Sequence, residues 1–212
     1  LSDNQNKAYT QVNEAFKEHN VVLLHGVTSS GKTELYVKKI EEALKLGEQV
    51  LFLLPEIALT AQLINRLKKY FGDLVGVYHS RFNQNERIEI WNKVLNNDQE
   101  QFRIILGARS SVFLPFQKLG LVIVDEEHDA SYKQQDGYRY QGRDLAILRA
   151  KQWQVSIMLG SATPSFESLH NAATGKYQLH QLMSRPGEAQ AAPIHIVDMN
   201  TQVSDYGLSR FC

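Results

Sequence analysis

Gly26-Val27-Thr28-Ser29-Ser30-Gly31-Lys32-Thr33 reads G-x-x-x-x-G-K-T. The run before it, residues 21–24 (VVLL), is branched and wholly apolar, as a strand buried on both faces requires. From Lys32 the period becomes helical. Leu35, Tyr36, Ile40, Ala43 and Leu44 share one face, and Gly47 is a stop signal. A glycine-rich loop between such a strand and such a helix turns backbone N–H groups inward toward an anion, and the helix adds the positive end of its dipole. Gly26 and Gly31 permit the backbone angles this needs, and Val27, Thr28, Ser29 and Ser30 complete the cradle. Lys32 is placed to reach β- and γ-phosphates, and the Thr33 hydroxyl to hold Mg²⁺. The stretch predicts a nucleoside triphosphate site and leaves open what the energy is used for.

Outward from the loop, short apolar runs alternate with helical stripes. Residues 49–54, 75–78, 102–106, 121–124 and 155–159 read as further strands. Leu59, Leu63, Ile64, Leu67 and Phe71 form a helical stripe closed by Gly72. Ile88, Trp91 and Leu95 mark another, ending at Asn96-Asn97. Strands separated by helices of this length predict an α/β fold, a parallel sheet with helices on both faces. Ser2-Asp3-Asn4-Gln5 is a capping box for a first helix through Val12 and Phe16. The texture changes after Thr174: residues 184–192 read as a connector, and 194–198 as one last strand.

The strand at 121–124 runs into Asp125-Glu126-Glu127-His128-Asp129. Ligands of open α/β sheets bind at the carboxyl ends of the strands, so an acid cluster delivered there is a candidate site. Asp125 is assigned to a metal and Glu126 to the attacking water, with Glu127 an alternative for that second role. Three adjacent acids repel, so a cation or a neighbouring base must offset them. His128 is placed to link this site to a neighbouring segment. It has no second histidine at ligand spacing, which argues against a metal role. The strand at 155–159 leads into Gly160-Ser161-Ala162-Thr163-Pro164-Ser165, where Thr163 reads as a helix N-cap and Pro164 as the first helical position.

The combination of G-V-T-S-S-G-K-T, D-E-E-H and G-S-A-T-P-S resembles the first motor lobe of superfamily 2 helicases, a RecA-like P-loop NTPase lobe. The segments 54–60 (LPEIALT), His79-Ser80, 107–116 (GARSSVFLPF) and 131–134 (SYKQ) resemble, within that group, the primosomal replication-restart helicases. The likeness runs from about residue 1 to 198. It implies an ATP- and Mg²⁺-dependent DNA helicase moving 3′ to 5′, which reloads the replication machinery at abandoned forks together with other primosome and restart proteins. By resemblance Gly160, Ser161, Ala162 and Thr163 couple nucleotide state to DNA, and Gln5 corresponds to an adenine-reading glutamine. Residues 1–183 would form the lobe and 184–212 the connector to a second lobe. That lobe and a zinc-binding, cysteine-rich module lie outside this sequence, so zinc is expected only there. Alone, the lobe is expected to bind ATP–Mg²⁺ without unwinding DNA.

A face for forked or single-stranded DNA is sought in residues 131–143. Tyr132, Tyr138 and Tyr140 there offer rings for stacking, and Lys133, Arg139 and Arg143 offer charge for phosphates. By resemblance this is the aromatic-rich loop that ties DNA binding to ATP turnover. Arg109 is a second candidate for a backbone contact. Without the helicase-like segments, the phosphate loop would equally suit a small-molecule kinase, an RNA helicase or remodelling motor, or a nucleotide-gated binding module.

Composition sets the outer limits. With 212 residues, 43% hydrophobic and a net charge of +0, the chain can bury a core, and it cannot bind polyanions through overall charge. Its apolar runs are far shorter than the roughly twenty residues of a membrane span. No signal-peptide pattern opens it, and Cys212 is its one cysteine. These features lead us to expect a reducing, cytoplasmic setting. The start at Leu1 and the stop at Cys212 read as a segment of a longer protein.

Overall fold

The computed structural model describes residues 2–18, 20–27, 30–56, 61–78 and 83–182. Helix α1 (Asp3–Glu18) leads into β1 (Val21–Gly26), α2 (Lys32–Lys45), β2 (Gln49–Leu53), α3 (Ala61–Phe71) and β3 (Val75–Tyr78). Then follow α4 (Gln84–Leu95), β4 (Ile104–Gly107), β5 (Leu119–Asp125), the short strands β6 (Lys133–Gln134) and β7 (Tyr140–Gln141), α5 (Gly142–Trp153), β8 (Ser156–Ser161), α6 (Phe166–Ala173) and β9 (Gln178–Leu182). The capping box at the head of α1 is present. Ser2 N donates to Gln5 Oε1 at 2.8 Å and Gln5 N to Ser2 Oγ at 3.4 Å.

Seven strands form one parallel sheet in the order β3-β4-β2-β5-β8-β1-β9. Alternate side chains of each inner strand enter different cores. Val22, Leu24, Val50 and Phe52 pack under α1, α2 and α3, while Leu23, Leu51 and Leu53 pack with Ile90 and Val94 of α4 and Ala146 and Ala150 of α5. Such two-sided burial is why these strands read as unbroken apolar runs. Strand order then positions the site. β8 lies between β1 and β5, with His25 paired to Ser161 and Asp125 paired to Gly160. The phosphate loop after β1 and the acids after β5 are therefore two strand spacings apart, about 10 Å. Gly160-Ser161 lies between them on the same carboxyl rim.

Three local readings are corrected. The stripe Ile88, Trp91 and Leu95 of α4 faces outward, each 40% or more exposed, and Ile90 and Val94 enter the core instead. Helix α6 is capped by Ser165, whose hydroxyl accepts from Ser168 N, so it begins two residues beyond Pro164 and Thr163 is not its N-cap. The edge strand β9 and the β6–β7 hairpin were not anticipated. Leu59, His79, Ser80, the strand expected at 194–198 and the connector at 184–212 lie outside the described residues.

Candidate active site

The strand β1 ends at Gly26 and α2 starts at Lys32, so the chain must reverse within the loop between them. Gly31 is the N-cap of α2 at φ 87°, a left-handed conformation that disfavours other residues. A Cβ there would also lie 1.9 Å from Gln5 Nε2. Gln5 is buried, so it abuts the loop with its amide nitrogen while its carbonyl oxygen caps α1. A Cβ on Gly26 would lie 2.6 Å from Ser30 Oγ. Ser30 N donates to Val27 O at 3.0 Å, and Lys32 Nζ reaches back across the loop to donate to Gly26 O at 2.7 Å. Thr33 is half-buried in the first turn of α2. Thr28 and Ser29 lie outside the described residues.

On the other side of β8, Asp125 closes β5. Its Oδ1 accepts from the Tyr36 hydroxyl at 2.9 Å and its backbone carbonyl from the Tyr132 hydroxyl at 2.7 Å. Burial, followed by repulsion from Glu126, pushes its carboxyl up to about 6, against the opposing pull of the Tyr36 hydroxyl and the Lys32 ammonium. Lys32 and Asp125 therefore share one electrostatic site. Glu126 stands at φ 47°, unusual for a residue with a side chain, and this turn directs its carboxylate outward, 38% exposed. Glu127 points the opposite way and is fully buried. Its Oε1 accepts from Ser165 N at 2.7 Å, and its Oε2 from Arg143 Nη1 and Ser168 Oγ, both at 2.8 Å. Of the two glutamates, only Glu126 can present its carboxylate to a water.

His128 bridges to the strand between the two sites. Its Nδ1 is 2.8 Å from Ser161 Oγ and 3.7 Å from Glu126 Oε2, and its Nε2 is 3.3 Å from Thr163 Oγ1. Ser161 Oγ also accepts from Thr163 N at 3.0 Å, and Ala162 O is 3.2 Å from His25 Nε2. A polar chain thus runs from Glu126 through His128 to the Gly160–Thr163 segment.

The residues expected to meet DNA divide. Tyr132 is wholly buried and cannot stack on a base. Arg143 is buried, with its guanidinium spent on Glu127, Asp144 and Ser165, so it is not a phosphate contact. Arg109 donates to Gln134 Oε1 at 2.7 Å and to Ser131 O at 2.6 Å, so it braces the base of the hairpin and does not reach outward. Tyr140 is half-buried, edge-on to Phe113 at 5.0 Å. Lys133, Tyr138 and Arg139 are exposed, Tyr138 almost fully at 94%. Lys133 and Arg139 border an open groove of about 880 Å³ between the hairpin and α5, whose other wall carries Asp144 and Glu167. Sequence reasoning missed Tyr36, Ser165 and Ser168. A tyrosine in a buried helical stripe was the available signal, because a buried hydroxyl needs a partner.

A parallel sheet carrying a phosphate loop and an acidic strand end on one rim defines a RecA-like P-loop lobe. The DEAD/DEAH box helicase family profile matches residues 2–172, and the chain belongs to that family. It is 47% identical over 191 residues to the replication restart protein PriA of Haemophilus influenzae, covering 90% of this chain and 26% of that protein. It is 41% identical over 213 residues to that of Bacillus subtilis, covering 100% and 26%. The chain thus spans about a quarter of the length of these relatives. Among solved structures, RecG bound to a three-way DNA junction matches with a TM-score of 0.64 at 23% identity, over 90% of this chain and 25% of that one. The E. coli DExH-box NTPase HrpB matches at 0.61 and 16%, over 87% and 22%. These likenesses establish the lobe's fold.

Family membership implies ATP and Mg²⁺. The residues fit both. The Ser30 hydroxyl is buried with no hydrogen-bond partner among the described residues, inside a loop whose glycines leave no room for side chains. No group of three or more metal-ligating side chains exists among the described residues. That suits Mg²⁺, which takes one or two protein ligands and completes its shell with phosphate oxygens and water. Among the described residues no helix is long and apolar enough to cross a membrane.

Proposed function

We propose that the chain is the ATP-binding motor lobe of an ATP-dependent DNA helicase that moves 3′ to 5′ and acts in primosome assembly and the restart of stalled replication forks. Residues 1–183 form the lobe and 184–212 the connector to a second lobe. The observation that carries this reading is the convergence of Lys32 and Asp125 on one rim, with Glu126 turned outward beside them. The likeness to replication restart proteins supports the biological setting, in the cytoplasm with other primosome and restart proteins as partners. Zinc is assigned to regions outside this sequence.

The roles follow from chemistry. Backbone N–H groups from Gly26 to Thr33 cradle phosphate, aided by the α2 dipole. Lys32 exchanges Gly26 O for phosphate oxygens, so its ammonium keeps a hydrogen-bond acceptor. Thr33 and Asp125 would hold Mg²⁺, which supplies charge stabilisation on the β- and γ-phosphates. Glu126 accepts the proton of the attacking water, being the acid with free access to solvent. Gln5 reads the adenine edge, its amide supplying both a donor and an acceptor. His128 and the segment from Gly160 to Thr163 carry the nucleotide state toward DNA. Unpaired bases stack on Tyr138, and Lys133 and Arg139 meet the backbone.

Calorimetry with ATP–Mg²⁺ and a strand-displacement assay on forked DNA test this. The expected result is nucleotide binding without unwinding by this chain. Phosphorylation of a small metabolite, or failure to bind ATP, would overturn it.

A further inference from the structure

Tyr36 is fully buried on the inner face of α2, one turn beyond Lys32. Its ring packs edge-on to Phe52, with centroids 5.5 Å apart. Packing alone would be served as well by phenylalanine. The hydroxyl instead crosses to β5 and donates to Asp125 Oδ1 at 2.9 Å. It occupies space that β8 leaves clear, because a Cβ on Gly160 would lie 1.7 Å from the Tyr36 hydroxyl and 3.0 Å from Asp125 Oδ1. Three chain segments thus meet at one hydroxyl group: the phosphate-loop helix, the acidic strand end and the segment after β8. The absence of a side chain at residue 160 is a steric requirement of this contact, since Gly160 has no positive φ to explain it.

From this juxtaposition we infer that Tyr36 is a positioning residue for Asp125. Its hydroxyl fixes one carboxylate oxygen so that the other faces the metal–phosphate site, and Gly160 is kept free of a side chain to admit it. The inference rests on the nucleotide site proposed above. A carboxylate pinned by one oxygen loses rotational freedom about its terminal bond, so less ordering remains when Mg²⁺–nucleotide arrives. The contact also gives α2 and β8 a shared stake in the orientation of Asp125.

The test is ATP binding by calorimetry with and without Mg²⁺, on this chain and its Tyr36→Phe variant. The wild-type chain is expected to bind ATP more tightly with Mg²⁺. Tyr36→Phe should keep the Mg²⁺-free affinity and lose about tenfold of the Mg²⁺-dependent gain, the scale of one hydrogen bond to a charged group. An equal gain in both proteins overturns the inference while leaving the nucleotide site standing. No ATP binding by the wild-type chain overturns both. A second arm reads stability alone. Gly160→Ala should lower the melting temperature clearly in the wild-type background and less in the Tyr36→Phe background, where the nearest clashing atom is gone. Equal losses in the two backgrounds would show that the hydroxyl does not set the requirement at residue 160.

Discussion

Arg143 Nη1 donates to Glu127 Oε2 at 2.8 Å, joining the first turn of α5 to the acidic turn after β5. Ser165 and Ser168 complete the cluster, so the glutamate binds α6 as well. A fully buried carboxylate with this many donors is satisfied, whereas one stripped of its cation is not. The pair gives the two glutamates after Asp125 different tasks. Glu127 holds elements together, and Glu126 keeps its carboxylate exposed. It also ties the exposed hairpin, whose far strand β7 runs directly into Arg143, to the nucleotide rim.

Arg143→Ala should therefore destabilise the fold by about 3–5 kcal/mol, the cost of leaving a buried charge unpaired. Chemical denaturation measures this. A loss below about 1 kcal/mol, the scale of an exposed ion pair, would mean that the cluster is not a structural joint.

Asp125 makes stability depend on pH. Its folded-state carboxyl sits at about 6, above its ordinary value of 3.8, so between about pH 4 and 6 the folded protein binds more protons than the unfolded chain. The contribution of Asp125 to stability is then fully present below that window and is lost as pH rises through it. Asp125→Asn should remove this slope and stabilise the nucleotide-free protein at pH 7 by roughly 2–3 kcal/mol, while weakening Mg²⁺-dependent ATP binding. Thermal melts of both proteins from pH 4 to 8 check the sign, and a wild-type stability that rises relative to Asp125→Asn across this window would contradict it.

Tyr132 and Tyr138 sit six positions apart and should respond in opposite ways. Tyr138→Ala removes an exposed ring. It should leave the melting temperature unchanged and weaken single-stranded DNA binding by about 1–3 kcal/mol. Tyr132→Ala empties a core position and should destabilise by about 3–5 kcal/mol. Melting curves and fluorescence anisotropy with a labelled oligonucleotide distinguish the two. Unchanged DNA affinity in Tyr138→Ala would remove the hairpin from the DNA face.

Much of this was legible in the sequence, and the failures have physical causes. The inner strands are buried on both faces, so residues 21–24 and 121–124 could hardly be read otherwise. Edge strand β9 (QLHQL) buries only Leu182 and is held to β1 by backbone pairing, which leaves no apolar pattern. In α4, Trp91 and Leu95 outweigh Ile90 and Val94 in size, yet the smaller pair faces the sheet. Helix α5 was missed because it meets the sheet through Ala146 and Ala150, which carry little hydrophobic signal. At the candidate site, Lys32 and Asp125 could be singled out because the chemistry ties residue type to short spacing. The partners of Glu127 and Asp125 could not, because Arg143 is 16 residues from Glu127 across a hairpin and Tyr36 is 89 from Asp125. Only the strand order brings them together.

We propose above that Lys32 and Asp125 serve one triphosphate. Calorimetric titration of ATP–Mg²⁺ into the wild-type chain and into Lys32→Ala tests it most directly. Binding by the first and none by the second is expected, with the melting temperature of the variant within a few degrees of wild type. Equal affinity in the two proteins would contradict it.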